Sequence, residues 1–282
     1  MKKKSIALIL AALAVIMCFA LAACGGTGAG GEESTAPSTD APEVVSDLDY
    51  IKEKGEMIIG YTEFAPMNYK NDDGEFVGFE TDFAKAVCEE LGVEAKFQLI
   101  SWEAKETELA AKTIDCIWNG MTITPERQEE MSISVPYMSN KQVLVVKSEN
   151  AGITSVEGVN IAVEAGSAGE TVVNEDPFFA NATCTPVSSM STALMELEAG
   201  RVDACVIDYV TSLGSIGEGT DYNDFVLVDV EFSLGNDEQY GIAFRKGSDL
   251  TAEVNTIIEK LMSNGTLDRI AKKYKLEDQL IK

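Results

Sequence analysis

The stretch Trp118-Asn119-Gly120-Met121-Thr122-Ile123-Thr124-Pro125-Glu126-Arg127 decides how the rest of the chain is read. The apolar residues Cys116-Ile117-Trp118 predict a strand that runs into a small polar loop. Thr124 followed by Pro125 marks a helix start, with threonine as the N-cap and proline at the first helical position. Such a turn brings Asn119, Gly120 and its neighbouring loop amides, Thr122 and the guanidinium of Arg127 toward one small anion. The planar fork of arginine suits a two-pronged grip on a carboxylate. The plainer alternative is a capped helix with a solvated surface arginine, and these ten residues alone leave both open.

Working outward, strands and helices alternate. Upstream, the spacing predicts a helix over 48–54 stopped by Gly55 and a strand over 57–61. A loop at 64–69 and a turn at Asn71-Asp72-Asp73-Gly74 follow. Then come a helix over 79–91 stopped by Gly92, a strand over 93–99 and a helix over 105–112. Downstream, a second run of the same kind has strands at 161–163, 183–187 and 204–207 and helices at 167–174 and 189–198. Closing helices are expected over 250–262 and 267–274. This alternation predicts an α/β body with mostly parallel sheets.

The two runs echo each other. Glu108-Leu109-Ala110-Ala111-Lys112-Thr113-Ile114-Asp115-Cys116-Ile117 aligns without gaps on Glu196-Leu197-Glu198-Ala199-Gly200-Arg201-Val202-Asp203-Ala204-Cys205. Generic helix–strand chemistry produces such matches, but two similarly built lobes explain it better. In open α/β sheets ligands sit beyond the carboxyl ends of strands. The first echo leads to Asn119 and the second to Asp208. If the lobes face each other, Arg127 meets a carboxylate and Asp208 an ammonium across one cleft, which suits a zwitterion. Extended runs at 143–146 and 240–244 are the expected crossings of a hinge, so lobe one takes 48–142 and 242–282 and lobe two 143–241. A ligand held by both lobes would favour the closed form.

Composition narrows the function. The 282 residues include 22 basic, 47 acidic and no histidine side chains, for a formal charge of −25. So acidic a surface repels phosphate backbones, which argues against nucleic-acid binding. The lack of histidine removes Ser-His-Asp and Cys-His catalysis and most zinc chemistry, and nothing suggests a metal or cofactor. Residues 1–23 read as a secretory signal, with Lys2, Lys3 and Lys4 ahead of an apolar run from Ile6 to Ala20. Residues 24–47 are rich in Gly, Ser, Thr, Pro and acids, the composition of a flexible tether. Four further cysteines, Cys88, Cys116, Cys184 and Cys205, form no CxxC pair. Buried free thiols are expected, with a Cys184–Cys205 bridge between neighbouring strands as the alternative.

Several motifs together resemble a known family. Leu21-Ala22-Ala23-Cys24 has the form of a bacterial lipobox. After it come Phe64-Ala65-Pro66 with Gly78-Phe79-Glu80-Thr81-Asp82, then the Gly120–Arg127 segment. Gly166-Ser167-Ala168-Gly169 follows, and last Gln239-Tyr240-Gly241-Ile242-Ala243-Phe244 with Lys246-Gly247-Ser248. In this order they resemble the solute-binding proteins of polar amino-acid ABC transporters, over essentially the whole body. The resemblance implies a two-lobed periplasmic-binding-protein-like (type II) fold with a two-strand hinge. It implies a monomer anchored by lipid on Cys24 at the outer face of the cell membrane, delivering an L-amino acid to a permease and its ATPase. It also implies roles. Phe64 and Trp102 would wall the ligand's aliphatic part. Asn119 would offer its carbonyl to the ammonium, and Thr122 its hydroxyl and amide. Arg127 would clamp the carboxylate with the amides of Ser167 and Ala168, and Asp208 would take the ammonium. For Asp208 a helix N-cap before Tyr209 is the alternative.

Departures from the family bear on specificity. This chain has Tyr61-Thr62-Glu63 where many relatives carry an aspartate, and Glu164 where they often carry a base. The acids at Glu63 and Glu164 favour a cationic or amide side chain, unless they are solvated rim charges. Glu80 is expected to cap or brace its own helix. Two other functions stay open. An exported dehydratase of aromatic-precursor acids on the same fold would need more cations in the cleft. A sensor domain feeding a kinase or chemoreceptor would be expected to continue into a transmembrane helix.

Overall fold

The computed structural model describes residues 46–230 and 232–282. The expected signal, Cys24 and the tether to residue 45 lie outside the described residues. The strands are β1 (Glu56–Tyr61), β2 (Tyr69–Lys70), β3 (Phe76–Val77), β4 (Glu94–Leu99), β5 (Cys116–Ile117), β6 (Met131–Ile133) and β7 (Met138–Asn140). They continue as β8 (Gln142–Lys147), β9 (Asn160–Glu164), β10 (Thr183–Val187), β11 (Ala204–Asp208), β12 (Phe225–Leu227), β13 (Glu238–Tyr240) and β14 (Ala243–Arg245). The helices are α1 (Asp47–Lys54), α2 (Phe79–Leu91), α3 (Lys105–Ala110), α4 (Pro125–Glu130) and α5 (Ala168–Glu175). After them come α6 (Met190–Glu198), α7 (Tyr209–Ser215), α8 (Leu250–Ser263) and α9 (Thr266–Lys273).

Two sheets organise two lobes. The first has the order β4-β1-β5-β14-β6 and the second β10-β9-β11-β8-β12. In each, one strand, β14 or β8, runs against the other four, so two pairings are parallel and two antiparallel and the sheets are mixed rather than mostly parallel. The antiparallel neighbour of each central strand, β14 or β8, is the one that arrives from the other lobe. The echo in the sequence is an echo in space. β5 and β11 are the middle strands of their sheets. Asp115 accepts the Ile58 N–H at 2.7 Å and Asp203 accepts the Asn160 N–H at 2.9 Å, each clasping the neighbouring parallel strand.

Both faces of the second sheet are covered. Val143, Val145, Ala162, Cys205 and Ile207 pack under α6, while Leu144, Val146, Ile161, Val163 and Val206 pack under α5. Alternate residues of one strand therefore serve two cores. This corrects the hinge assignment: the run 143–146 is apolar throughout because it is buried on both faces of β8, not because it crosses between lobes. The crossing pair is the antiparallel ribbon β7–β13, with Asn140 opposite Glu238 and Met138 opposite Tyr240. The same arrangement excludes the Cys184–Cys205 bridge. β9 lies between β10 and β11, and the two thiols belong to opposite faces of the sheet. All four are free.

The first lobe is closed by the end of the chain. Leu250, Val254 and Leu267 of α8 and α9 join Phe79, Phe83 and Trp118 in its core. At the other end Ser46 caps α1, accepting the Asp49 N–H at 2.9 Å, and Asp47 pairs with Arg245 at 3.0 Å. Ser46 and Asp47, inside the stretch expected to be tether, are thus tied into the folded body. Among the described residues no helix is long and apolar enough to cross a membrane.

Candidate functional site

The loop after β5 is held from behind by polar side chains. Asn119 Oδ1 accepts the Thr62 N–H at 2.9 Å and the Thr62 hydroxyl at 2.8 Å, and its Nδ2 donates to Thr62 O and Asn68 Oδ1. All four side-chain positions are used, so only the Asn119 backbone faces outward chemistry. Gly120 has φ +60°, and a β-carbon there would fall 2.8 Å from Phe64 Cζ. Its N–H donates to the carboxylate of Glu80 at 2.9 and 3.1 Å. Glu80 therefore braces this loop and not its own helix, whose N-cap is Gly78 without a side-chain bond. The Tyr137 hydroxyl also donates to Glu80. Burial pushes the Glu80 carboxyl up to about 7, with the Tyr137 and Gly120 bonds pulling it down.

Thr124 caps α4 as expected, accepting the Arg127 N–H at 3.2 Å. That turn aims the guanidinium inward. Arg127 Nη1 donates to Thr122 O at 2.7 Å, and Nη2 reaches the second lobe at Gly166 O, 3.3 Å away. Burial lowers the Arg127 pKa, opposed by the carboxylates of Glu106, Glu238 and Asp208. An arginine keeps its charge in such surroundings.

The second lobe answers with two loops. After β9, Gly166 turns at φ +73° and Ser167 caps α5, accepting the Glu170 N–H at 3.1 Å. Glu170 returns a bond from the Gly166 N–H at 2.7 Å, a variant of the reciprocal capping box. The Ser167 N–H is engaged by Glu164 O at 3.2 Å, whereas Ala168, the first helical residue, has no intrahelical acceptor for its own. At the end of β11, Asp208 is only 2 % exposed. Its Oδ1 accepts from Gln142 Nε2 and its Oδ2 from the Tyr240 hydroxyl, both at 2.5 Å. It makes no side-chain cap to α7, so the N-cap alternative is not what its carboxylate does.

These loops line one cavity between the lobes. Trp102, Asn119, Gly120, Thr122 and Arg127 line it from the first lobe, and Glu164, Ser167, Ala168, Met190 and Asp208 from the second. Glu164 is 3 % exposed and its Oε1 has no hydrogen-bond partner. Burial pushes its carboxyl up to about 8, opposed by Thr62 and by Lys105.

Three expected residues stand elsewhere. Phe64 is buried against Gly120, behind the lining. Tyr61 packs on Phe76 and Phe97, with ring centroids 4.8 and 6.3 Å away, because the β1 alternation turns it from the cleft. Glu63 is exposed, and it is the backbone carbonyl that takes part, accepting the Ser191 hydroxyl across the cleft at 3.0 Å.

Other residues at the site were not singled out from sequence. Lys105 is 3 % exposed, lies 4.9 Å over the Trp102 ring and donates across the cleft to Gly166 O at 3.1 Å. A cation in the first turn of a helix opposes the helix dipole, and that misfit is its one sequence signal. Gln142, a lone amide opening the apolar run of β8, and Glu238 belong to the same group. Glu238 Oε2 accepts from Asn140 and Gln142 at 2.8 Å and from Thr122 at 3.3 Å. Met190 gives no signal beyond its apolar helix position.

Residues 57–277 match the bacterial extracellular solute-binding proteins, family 3. The chain belongs to this family. It is 32 % identical to the ABC transporter glutamine-binding protein GlnH of Bacillus subtilis, over 94 % of this chain and 97 % of that protein. It is 28 % identical to the arginine-binding extracellular protein ArtP of the same organism, over 93 % and 95 % of the two chains. Among solved structures, an ABC uptake transporter substrate-binding protein from Streptococcus pneumoniae with bound histidine superposes with a TM-score of 0.74. It is 31 % identical and covers 84 % of this chain and 99 % of that one.

Proposed function

We propose that this solute-binding protein captures one L-amino acid between its lobes, outside the cytoplasm, and delivers it to an ABC permease for import. The observation that carries the reading is the placement of two opposite charges, the half-buried Arg127 and the buried Asp208, on opposite walls of one cavity. A zwitterion satisfies both. Its carboxylate takes over the Arg127 fork from the carbonyls of Thr122 and Gly166, supported by the Ala168 amide. Its ammonium lies at Asp208 and the Asn119 carbonyl, with Trp102 against the aliphatic part.

Glu164 sets the side-chain preference. A buried carboxylate with an unpartnered oxygen at the lining calls for a donor, such as a guanidinium, an ammonium or a carboxamide. The ligands named for the relatives, arginine, glutamine and histidine, all offer side-chain N–H groups. The exposed Glu63 carboxylate takes no part in this preference. The protein acts as a binding protein and not as an enzyme, as a monomer held to the membrane by lipid on Cys24. The test is thermal unfolding of refolded protein against the common amino acids and several aromatic-precursor acids. Ligand at a hundred times its dissociation constant adds roughly 2.7 kcal/mol. A rise in Tm with glutamine, arginine or histidine is expected. A rise with precursor acids alone transfers the protein to the dehydratase reading.

A further inference from the structure

The walls of the cavity continue into a group of polar side chains at the hinge. Glu238 opens β13, one strand of the crossing ribbon. Its Oε2 accepts from the Thr122 hydroxyl of the first lobe, from Asn140 Nδ2 on the partner strand β7, and from Gln142 Nε2 of the second lobe. Gln142 Nε2 also donates to Asp208 Oδ1 at 2.5 Å. One amide nitrogen therefore sits between two carboxyl groups. Since its bonds measure 2.5 and 2.8 Å, the two oxygens it joins lie within about 5 Å of each other. Gln142 is buried, and its own oxygen has no partner. Turning the amide over to satisfy that oxygen would face it toward two acids, which welcomes it only if an acid holds a proton.

We propose that Asp208 and Glu238 act as one acid pair that holds a shared proton in the empty site and releases it when the ammonium of the amino acid binds. This rests on the reading that the ammonium sits at Asp208. The groups around the pair fit the inference. From α4, Arg127 favours ionisation. Glu80 on α2 and Glu164 on β9 oppose it as further acids coupled to Asp208. The Tyr240 hydroxyl on β13 donates a hydrogen bond to Asp208, and Asn140 and Gln142 are neutral donors. Lys105 on α3 acts on Glu164 and is itself paired with Glu106 at 3.1 Å. Burial, then Asp208, pushes Glu238 up to about 7, and burial raises Asp208. Like carboxyls this close resist joint ionisation and titrate as a pair. An arriving cation supplies the missing opposite charge, so the proton leaves. Affinity then rises with pH through about 7 and levels off once the empty pair is ionised.

Titration calorimetry of the full-length protein with glutamine, arginine and histidine, in phosphate and in Tris at pH 7, reads the effect. The binding heat is expected to differ between the buffers by the release of roughly half a proton or more per ligand. Between pH 6 and pH 8 the dissociation constant should fall several-fold. Glu238→Gln should remove most of the release, and Glu63→Gln, at an exposed carboxylate outside the cavity lining, should keep it. Binding heats that are the same in both buffers overturn the pair while leaving the receptor reading standing. So does release that persists in Glu238→Gln. The absence of heat with every amino acid instead overturns the receptor reading on which the pair depends. If Glu238→Gln does not fold, the buffer pair and the pH series on the parent protein decide alone.

Discussion

Arg127 is the residue on which amino-acid binding turns. Its fork is held by the carbonyls of Thr122 and Gly166, and a ligand carboxylate is a stronger partner than either. Arg127→Ala is expected to weaken binding by about 2–5 kcal/mol, because it strands a buried carboxylate. Arg127→Lys should recover only part of that, since an ammonium lacks the fork. Calorimetry measures both, and an unchanged dissociation constant for the alanine variant would move the carboxylate elsewhere. Asp208→Asn should cost a similar amount through the ammonium. Asn119 shows where residue-scale reading needs its surroundings. Its polarity marked it for the site, but its side chain is spent on Thr62 and Asn68. Only those distant partners reveal that the backbone is what remains.

At the scale of elements, α5 and the turn before it join the lobes. Gly166 sits at φ +73°, and a β-carbon there would lie 3.0 Å from Glu103 Cα on the opposite lobe. Gly166→Ala carries the left-handed penalty of roughly 1–2 kcal/mol in every state, whereas the clash arises only when the lobes close. Ligand-induced stabilisation should therefore fall further than the Tm of the empty protein, and scans with and without ligand separate the two effects. Most elements were legible locally. The helix at Phe79–Leu91 matches its expected bounds because apolar spacing and Gly92 agree. Short pieces such as Met138–Asn140 and Phe225–Leu227 were not legible. Strands of three residues carry too little periodicity, and their pairing partners lie far along the chain.

Several acids are buried among the described residues, and the stability should follow pH accordingly. Glu164 is raised to about 8, and Glu80 and Glu238 to about 7. A carboxyl raised on folding favours the folded state fully below its unfolded pKa, and the benefit is lost as pH rises through the folded value. The Tm of the empty protein should therefore decline from about pH 5 to about pH 8 and then level off, and Glu164→Gln should flatten the upper part of that decline. A Tm that stays flat over this range would show that these acids are already ionised in the fold. The thiols give an independent check. With Cys88, Cys116, Cys184 and Cys205 all free, reductant should leave the Tm unchanged.

By itself the sequence determined the α/β class, the two echoing lobes, the capped turn that carries Arg127 and the acid at the end of the second echo. Each is written in a short window, as periodicity, caps and turn residues, and local physics reads such signals. Only the tertiary structure decided that the crossing strands are 138–140 and 238–240. It alone turned Tyr61 away from the cleft, sent Glu80 to brace Gly120, separated Cys184 from Cys205 by a strand and set Lys105 and Glu238 beside the cavity. These outcomes depend on which distant residues share a face of a sheet or a wall of the cleft. Burial and hydrogen-bond pairing fix that only when the whole chain has packed.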